Sequence, residues 1–178
     1  MKTLLLGGAR SGKSSLAARW AGERSPSVCA VVTAVATDEE MLERIAAHKR
    51  ARPAQWRVRE EATRLGNVLR TESDALLLID CLTLWLSNCL WPAIEQGATT
   101  PDLAHWQHQR NDFLEALAAC PSDILLVSNE VGSGIVPGEP ATRLFRDEHG
   151  RLNQTVAALC DEVHLVVAGL PLRLKPQA

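Results

Sequence analysis

Short, almost uninterrupted apolar runs alternate along this chain with longer segments in which apolar residues recur every three or four positions. The runs Leu4-Leu5-Leu6, Val28 to Thr33, Ala75 to Ile79, Ile124 to Val127 and Val163 to Ala168 predict strands. Continuous apolar runs of strand length are what a sheet covered on both faces requires. Helices are expected between them. Thr37-Asp38-Glu39-Glu40 has the form of a capping box with Thr37 as N-cap; Met41 and Ile45 follow at helical spacing, and Pro53 closes the segment. Ala62, Leu65 and Leu69 mark a second helix, Leu103, Trp106, Arg110, Phe113, Leu114 and Leu117 a third, and Leu152, Val156 and Leu159 a fourth. Alternation of this kind predicts an α/β fold with a mainly parallel central sheet. The 178 residues are one domain's worth of chain, 1–178. Long loops are expected at Pro92 to Pro101 and Asn129 to Pro140. Ligands of open α/β sheets bind beyond the carboxyl ends of the strands, so the residues after each apolar run are the ones to inspect.

Composition narrows the partners. Hydrophobic residues make up 46% and charged residues 22%, enough for a real core and against intrinsic disorder. Lys+Arg (19) and Asp+Glu (21) nearly cancel to a formal charge of -2, which excludes the basic balance of a DNA-coating protein. With no aromatic-basic platform either, nucleic acid is not an expected partner. The three leucines before Gly7-Gly8 are too few for a signal-peptide core, and no apolar run reaches membrane-spanning length. The cysteines at 29, 81, 89, 120 and 160 are odd in number and form no C-x-x-C pair. They read as small buried hydrophobes in a reducing cytoplasm, not as zinc ligands or a disulfide framework.

The strongest local signal is Gly7-Gly8-Ala9-Arg10-Ser11-Gly12-Lys13-Ser14, a full G-x-x-x-x-G-K-[ST] match after a predicted strand and before a predicted helix (Ser15, Leu16, Ala17, Trp20). Glycines let the backbone curl until several N–H groups face one anion, and the helix N-terminus adds partial positive charge. Lys13 is spaced to reach the β- and γ-phosphates of a nucleoside triphosphate, and the Ser14 hydroxyl to ligate Mg²⁺. Asp80 closes the run Ala75 to Ile79, where a Walker-B carboxylate would meet the same ion.

The guanine-reading N-K-x-D of signalling GTPases is absent. Asp147 to Gly150 fits D-x-x-G only formally, at a position expected mid-helix or at a helix end. A compact phosphotransferase remains. The segment His48-Lys49-Arg50-Ala51-Arg52 packs one histidine and three cations into five residues. From residue types alone it is either a solvated basic helix end or a nucleophilic imidazole among phosphate-binding cations. Asn129 to Pro137, glycine-rich and following a strand, is either a structural turn or part of the active-site rim. His105, His108, His149 and His164 lack comparable company and read as surface or packing residues.

Taken in order, the P-loop, His48-Lys49-Arg50-Ala51-Arg52-Pro53-Ala54-Gln55-Trp56, Asp80-Cys81-Leu82-Thr83 and Asn129-Glu130-Val131-Gly132-Ser133-Gly134-Ile135-Val136-Pro137 closely resemble the bifunctional adenosylcobinamide kinase/adenosylcobinamide-phosphate guanylyltransferase family of cobalamin biosynthesis. The resemblance spans about residues 3 to 168. It implies a RecA-like P-loop NTPase fold and a homotrimer. It implies phosphorylation of the aminopropanol hydroxyl of adenosylcobinamide with ATP or GTP, then transfer of GMP from GTP through a guanylyl-histidine to the new phosphate. By resemblance His48 is the guanylylated residue. Gly7 to Ser14 hold the triphosphate, and Thr33, Ala34, Val35, Lys49, Arg50, Ala51, Arg52, Glu60 and Asp80 match nucleotide-contacting positions. Some members carry Glu at the Asp80 position, a mild departure, and some have a second histidine where this chain has Ala47. The alternative activity is a plain P-loop small-molecule kinase in which His48 only binds phosphate.

Overall fold

The structure, a computed structural model, describes residues 1–36, 39–50, 52–92 and 100–175, and the side chains at 40, 44 and 48 lie outside that description. In chain order the elements are β1 (Lys2–Gly7), α1 (Lys13–Arg24), β2 (Val28–Val32), α2 (Glu39–Arg50), β3 (Arg57–Glu60), α3 (Leu65–Thr71) and β4 (Leu76–Asp80). They continue with α4 (Leu82–Leu90), α5 (Leu103–Ala119), β5 (Ile124–Asn129), α6 (Pro140–Leu159), β6 (Glu162–Val167) and β7 (Leu170–Lys175). Together the strands form a seven-stranded sheet in the order β3-β2-β4-β5-β1-β6-β7. Every pairing is parallel except that of the edge strand β7 with β6.

The continuous apolar runs follow from this layering. Leu4, Leu77, Ile79, Ile124 and Leu126 face one side, packed under α3, α4, α5 and α6 around Trp85, Trp106 and Phe113. Their neighbours Leu5, Leu76, Leu78, Leu125 and Val127 face the other side, against Leu16, Ala17 and Ala21 of α1 and against Trp56. Both faces of each central strand are therefore dry, as period-two alternation between two covered faces requires.

All five expected strands are present within a residue or two of their expected ends. Two strands and a helix were not expected. β3 reads Arg57-Val58-Arg59-Glu60 and is an exposed edge whose arginines pair with Glu72. β7 places Leu170, Leu172 and Leu174 outward. It is tied back by Lys175, whose ammonium donates to the carbonyls of Ala157, Ala158 and Cys160 at the end of α6. In α4 the buried Leu82, Trp85, Leu86, Cys89 and Leu90 recur at helical spacing, but over only nine residues directly after a strand.

The expected helix at Ala62 begins instead at Leu65, and α6 starts at Pro140, well before Leu152. Proline suits that first position because its missing N–H is one the helix would leave unbonded. Asp147 to Gly150 lie inside α6, so D-x-x-G there is a coincidence of sequence. Thr37, the expected N-cap, lies outside the described residues.

Candidate active site

The phosphate loop sits at the carboxyl end of β1, near the middle of the sheet, and opens α1. Its backbone needs two left-handed residues, Arg10 (φ 57°) and Gly12 (φ 91°). At Gly12 the space is also tight, because an added Cβ would stand 3.1 Å from the Cα of Gly169. At Gly7 it would meet Ser11 Oγ and the Val166 carbonyl, each at 2.6 Å. Close approach thus requires glycine at Gly7, while at Gly12 the left-handed φ favours it in a tight space. The Gly169 N–H donates to the Ser11 carbonyl at 2.8 Å, stitching the β6–β7 turn to the loop.

Lys13 is buried, with Nζ 3.2 Å from the Gly8 carbonyl, folded back across the loop it serves. Ser14 Oγ donates to Asp80 Oδ1 at 3.4 Å. A serine hydroxyl and one carboxylate, beside a loop built for phosphates, form the hard-oxygen set that Mg²⁺ takes when phosphates and water complete its shell. Among the described residues no group of three or more His, Cys, Asp or Glu forms a metal cage.

A cavity of about 300 Å³ joins this floor to α2. Lys13, Ser14, Ala34, Asp80 and Asn129 line one side, and Met41, Ile45 and Arg52 the other. A second hollow beside the loop runs from Arg10 to Ser15 and is bounded by Glu43, Ala47 and, again, Asn129.

The expected nucleotide contacts separate into groups. Ala9 to Ser14, Ala34, Arg52 and Asp80 line these cavities, while Gly7 and Gly8 lead into the loop without lining either one. Thr33 is wholly buried: its hydroxyl donates to the Cys81 carbonyl (2.7 Å) and accepts from the Cys81 N–H (2.9 Å). It thereby holds the turn after Asp80, which includes a cis peptide bond between Asp80 and Cys81. Val35 follows β2 half-buried; Lys49 and Arg50 are exposed at the end of α2. Glu60 is exposed at the end of β3, on the same rim, with β2 and β4 between it and β5. None of these four lines the cavity floor. Ala51 lies outside the described residues, as does the side chain of His48, whose backbone belongs to α2.

Sequence reading missed a buried polar cluster just behind the floor. His149 of α6 is completely buried, with Nε2 3.1 Å from Thr83 Oγ1 and 3.2 Å from Ser128 Oγ. Ser128 donates to Asn153 Oδ1 at 2.7 Å. Asn153 Nδ2 lies 3.1 Å from the Asn129 carbonyl and 3.3 Å from His149 Nδ1. An amide nitrogen can only donate, so Nδ1 accepts and the ring carries its proton on Nε2. Burial pushes the His149 pKa down to about 4, against a smaller upward pull from Glu130. A signal was present in the sequence: His149 and Asn153, four apart, put polar groups on the face that also carries Val156.

The cysteines are free and buried, as expected. Burial, reinforced by Asp80, raises the Cys81 thiol to about 11, so it is no nucleophile despite its place beside the cavity.

Comparison with known proteins decides the family. The model for cobinamide kinase / cobinamide phosphate guanyltransferase matches residues 3–174. This chain belongs to that family. It is 46% identical over 98% of both chains to the bifunctional adenosylcobalamin biosynthesis protein CobP of Pseudomonas aeruginosa. It is 39% identical to CobU of Salmonella typhimurium, covering 98% of this chain and all of that one, and 37% identical to CobU of Escherichia coli over the same shares. Among solved structures, a prototypical ATPase of a bacterial type III secretion system superposes with TM-score 0.55 at 12% identity. That match covers 97% of this chain and 56% of the ATPase. The assembled ATPase EscN of enteropathogenic E. coli gives 0.52 at 13%, over 94% of this chain and 43% of that one. At such identities the likeness shows the fold, a P-loop NTPase core, and this family builds its site on that core.

Proposed function

We propose that this protein phosphorylates adenosylcobinamide with ATP or GTP, and then transfers GMP from GTP, through a guanylyl-histidine at His48, to give adenosylcobinamide-GDP. The observation that carries this reading is a cavity that has the phosphate loop, Ser14 and Asp80 on one side and α2 with Arg52 on the other. Position 48 is three residues beyond Ile45 and seven beyond Met41, the α2 residues that line that cavity.

In the kinase step the aminopropanol oxygen attacks the γ-phosphorus. The O–P bond forms, the bond to the β-phosphate oxygen breaks, and the hydroxyl proton leaves to solvent. The loop amides and Lys13 hold the triphosphate in line, and Arg52 offers a cation to the transferring oxygens. Ser14 and Asp80 would hold Mg²⁺, which neutralises charge on the departing phosphates. In the second reaction the neutral imidazole of His48 attacks the α-phosphorus of GTP and pyrophosphate leaves. A phosphate oxygen of adenosylcobinamide phosphate then attacks the same phosphorus and the P–N bond breaks. Splitting the transfer lets a weak nucleophile receive GMP from a reactive phosphoramidate.

Incubation with α-labelled GTP followed by denaturation tests the covalent step. An acid-labile, base-stable label on the protein, lost in His48→Ala, is expected. No label would reduce the activity to that of a plain kinase.

A homotrimer in the cytoplasm completes the reading. The outward leucines of β7 and the exposed Ile135 and Val136 of the 130–139 loop leave apolar surface for a second copy to cover. The free buried cysteines suit a reducing compartment, and among the described residues no helix is long and apolar enough to cross a membrane. Sedimentation of the wild-type chain beside Leu172→Glu measures the assembly directly.

A further inference from the structure

The strand β5 lies between β1, which carries the phosphate loop, and β4, which carries Asp80. Its last residue, Asn129, pairs in register with Gly7, and the next N–H, that of Glu130, donates to the Gly7 carbonyl at 3.0 Å. Asn129 thus stands on the floor between Lys13 and Asp80, and it lines both hollows around the loop.

Its main chain is held from two sides. The N–H donates to Thr83 Oγ1 at 2.8 Å, and the carbonyl accepts from Asn153 Nδ2 at 3.1 Å. Thr83 and Asn153 are themselves joined through His149 and Ser128, three of these four being under 7% exposed and Thr83 7%. By contrast, the Asn129 carboxamide makes no hydrogen bond to any described residue, although the residue is half-buried beside the cavity. A buried network spent on fixing one backbone unit, with that unit's own amide left uncommitted at a phosphate cavity, is the arrangement of a prepositioned donor.

We infer that Asn129 donates its side-chain amide to the transferring phosphoryl group, and that His149, acting through Thr83, Ser128 and Asn153, is the positioning residue that holds it there. The inference rests on the phosphoryl-transfer reading given above. Thr83 fixes Asn129 from α4 and Asn153 from α6, so the donor's place depends on two helices. His149 is the joint between them. Its ring is neutral, with Nε2–H facing the two hydroxyls, and it lies near-parallel to Phe145, with ring centres 5.7 Å apart.

The test is steady-state phosphorylation of adenosylcobinamide, with kcat and nucleotide KM measured separately. Asn129→Ala is expected to lower kcat by roughly ten- to a hundred-fold with KM nearly unchanged, the mark of a contact made in the transition state. Asn129→Asp, the same size but repelling phosphoryl oxygens, should fall further. His149→Phe should lower kcat in the wild-type background and have no further effect in Asn129→Ala. Ser128→Ala should repeat that pattern, and it stands in if the bulkier substitution does not fold. Wild-type kcat in Asn129→Ala, or an equal His149 or Ser128 penalty in both backgrounds, would overturn the inference while the wild-type protein still turns over. A wild-type chain that phosphorylates no adenosylcobinamide would remove the reading beneath it as well.

Discussion

The two walls of the phosphate cavity are built in opposite ways. The floor is overdetermined: Lys13, Thr33, Thr83, Ser128, His149 and Asn153 are all buried, and the last five are hydrogen-bonded into the ends of β4 and β5. In the opposite wall, α2, no described residue is buried; Met41 and Ile45 are only half-covered, and Leu42 is 56% exposed. Burial of this kind fixes geometry, and among the described residues of α2 none supplies it. The contrast teaches a division of labour. On the function proposed above, what both reactions would share, a triphosphate gripped at its phosphates, falls on the rigid side. What would distinguish them, His48, falls on the helix that can be altered without unmaking the sheet.

Substitutions on each wall test that division. The largest expected effect is in α2: His48→Ala should abolish guanylyl transfer and the protein label while leaving adenosylcobinamide phosphorylation within a few-fold of wild type, read from the two activities assayed side by side. Loss of both would merge the walls into one machine. Lys13→Ala, on the floor, should instead depress both activities together, by roughly 10²–10³-fold. A preparation that keeps one of them would break the comparison from the other side.

Acid should also attack the floor first. Folded His149 stays neutral down to about pH 4, whereas the unfolded chain takes up a proton near the ordinary value of 6.5. Between those values the unfolded state binds more protons, so stability rises with pH across that window and is lost on acidification, by on the order of 3 kcal/mol in full. Denaturant melts at pH 7 and pH 4.5 should show that loss, with the histidine's share missing from His149→Phe. The smallest effect is expected at the edge of the floor. Gly169→Ala forces an L-residue to φ near 79° and should cost about 1–2 kcal/mol in the same melts.

The floor was largely legible in the sequence and the elements around it less so. The glycine loop, its helix and Asp80 announce themselves because their chemistry dictates both residue type and spacing. The central strands are legible because two covered faces make the middle of each a continuous apolar run. β3 and β7 were not, since an edge strand can carry Arg57, Arg59 or exposed leucines without penalty, and α4 was not, since its helical stripe Leu82, Trp85, Leu86, Cys89 and Leu90 spans only nine residues directly after β4. The Asn129 cluster escaped for a different reason. Thr83, Ser128, His149 and Asn153 come from three elements, and only the pairing of β5 with β1 and β4 brings their company to the loop.

The turn between β6 and β7 is two residues long, Ala168 at φ 50° and Gly169 at φ 79°, the backbone that joins antiparallel strands most tightly. Its amide is lent to Ser11 rather than to water. The outermost ribbon of the molecule is therefore a buttress of its innermost binding loop. A lengthened turn, far from any substrate atom, would loosen the grip on nucleotide as surely as a change within the loop.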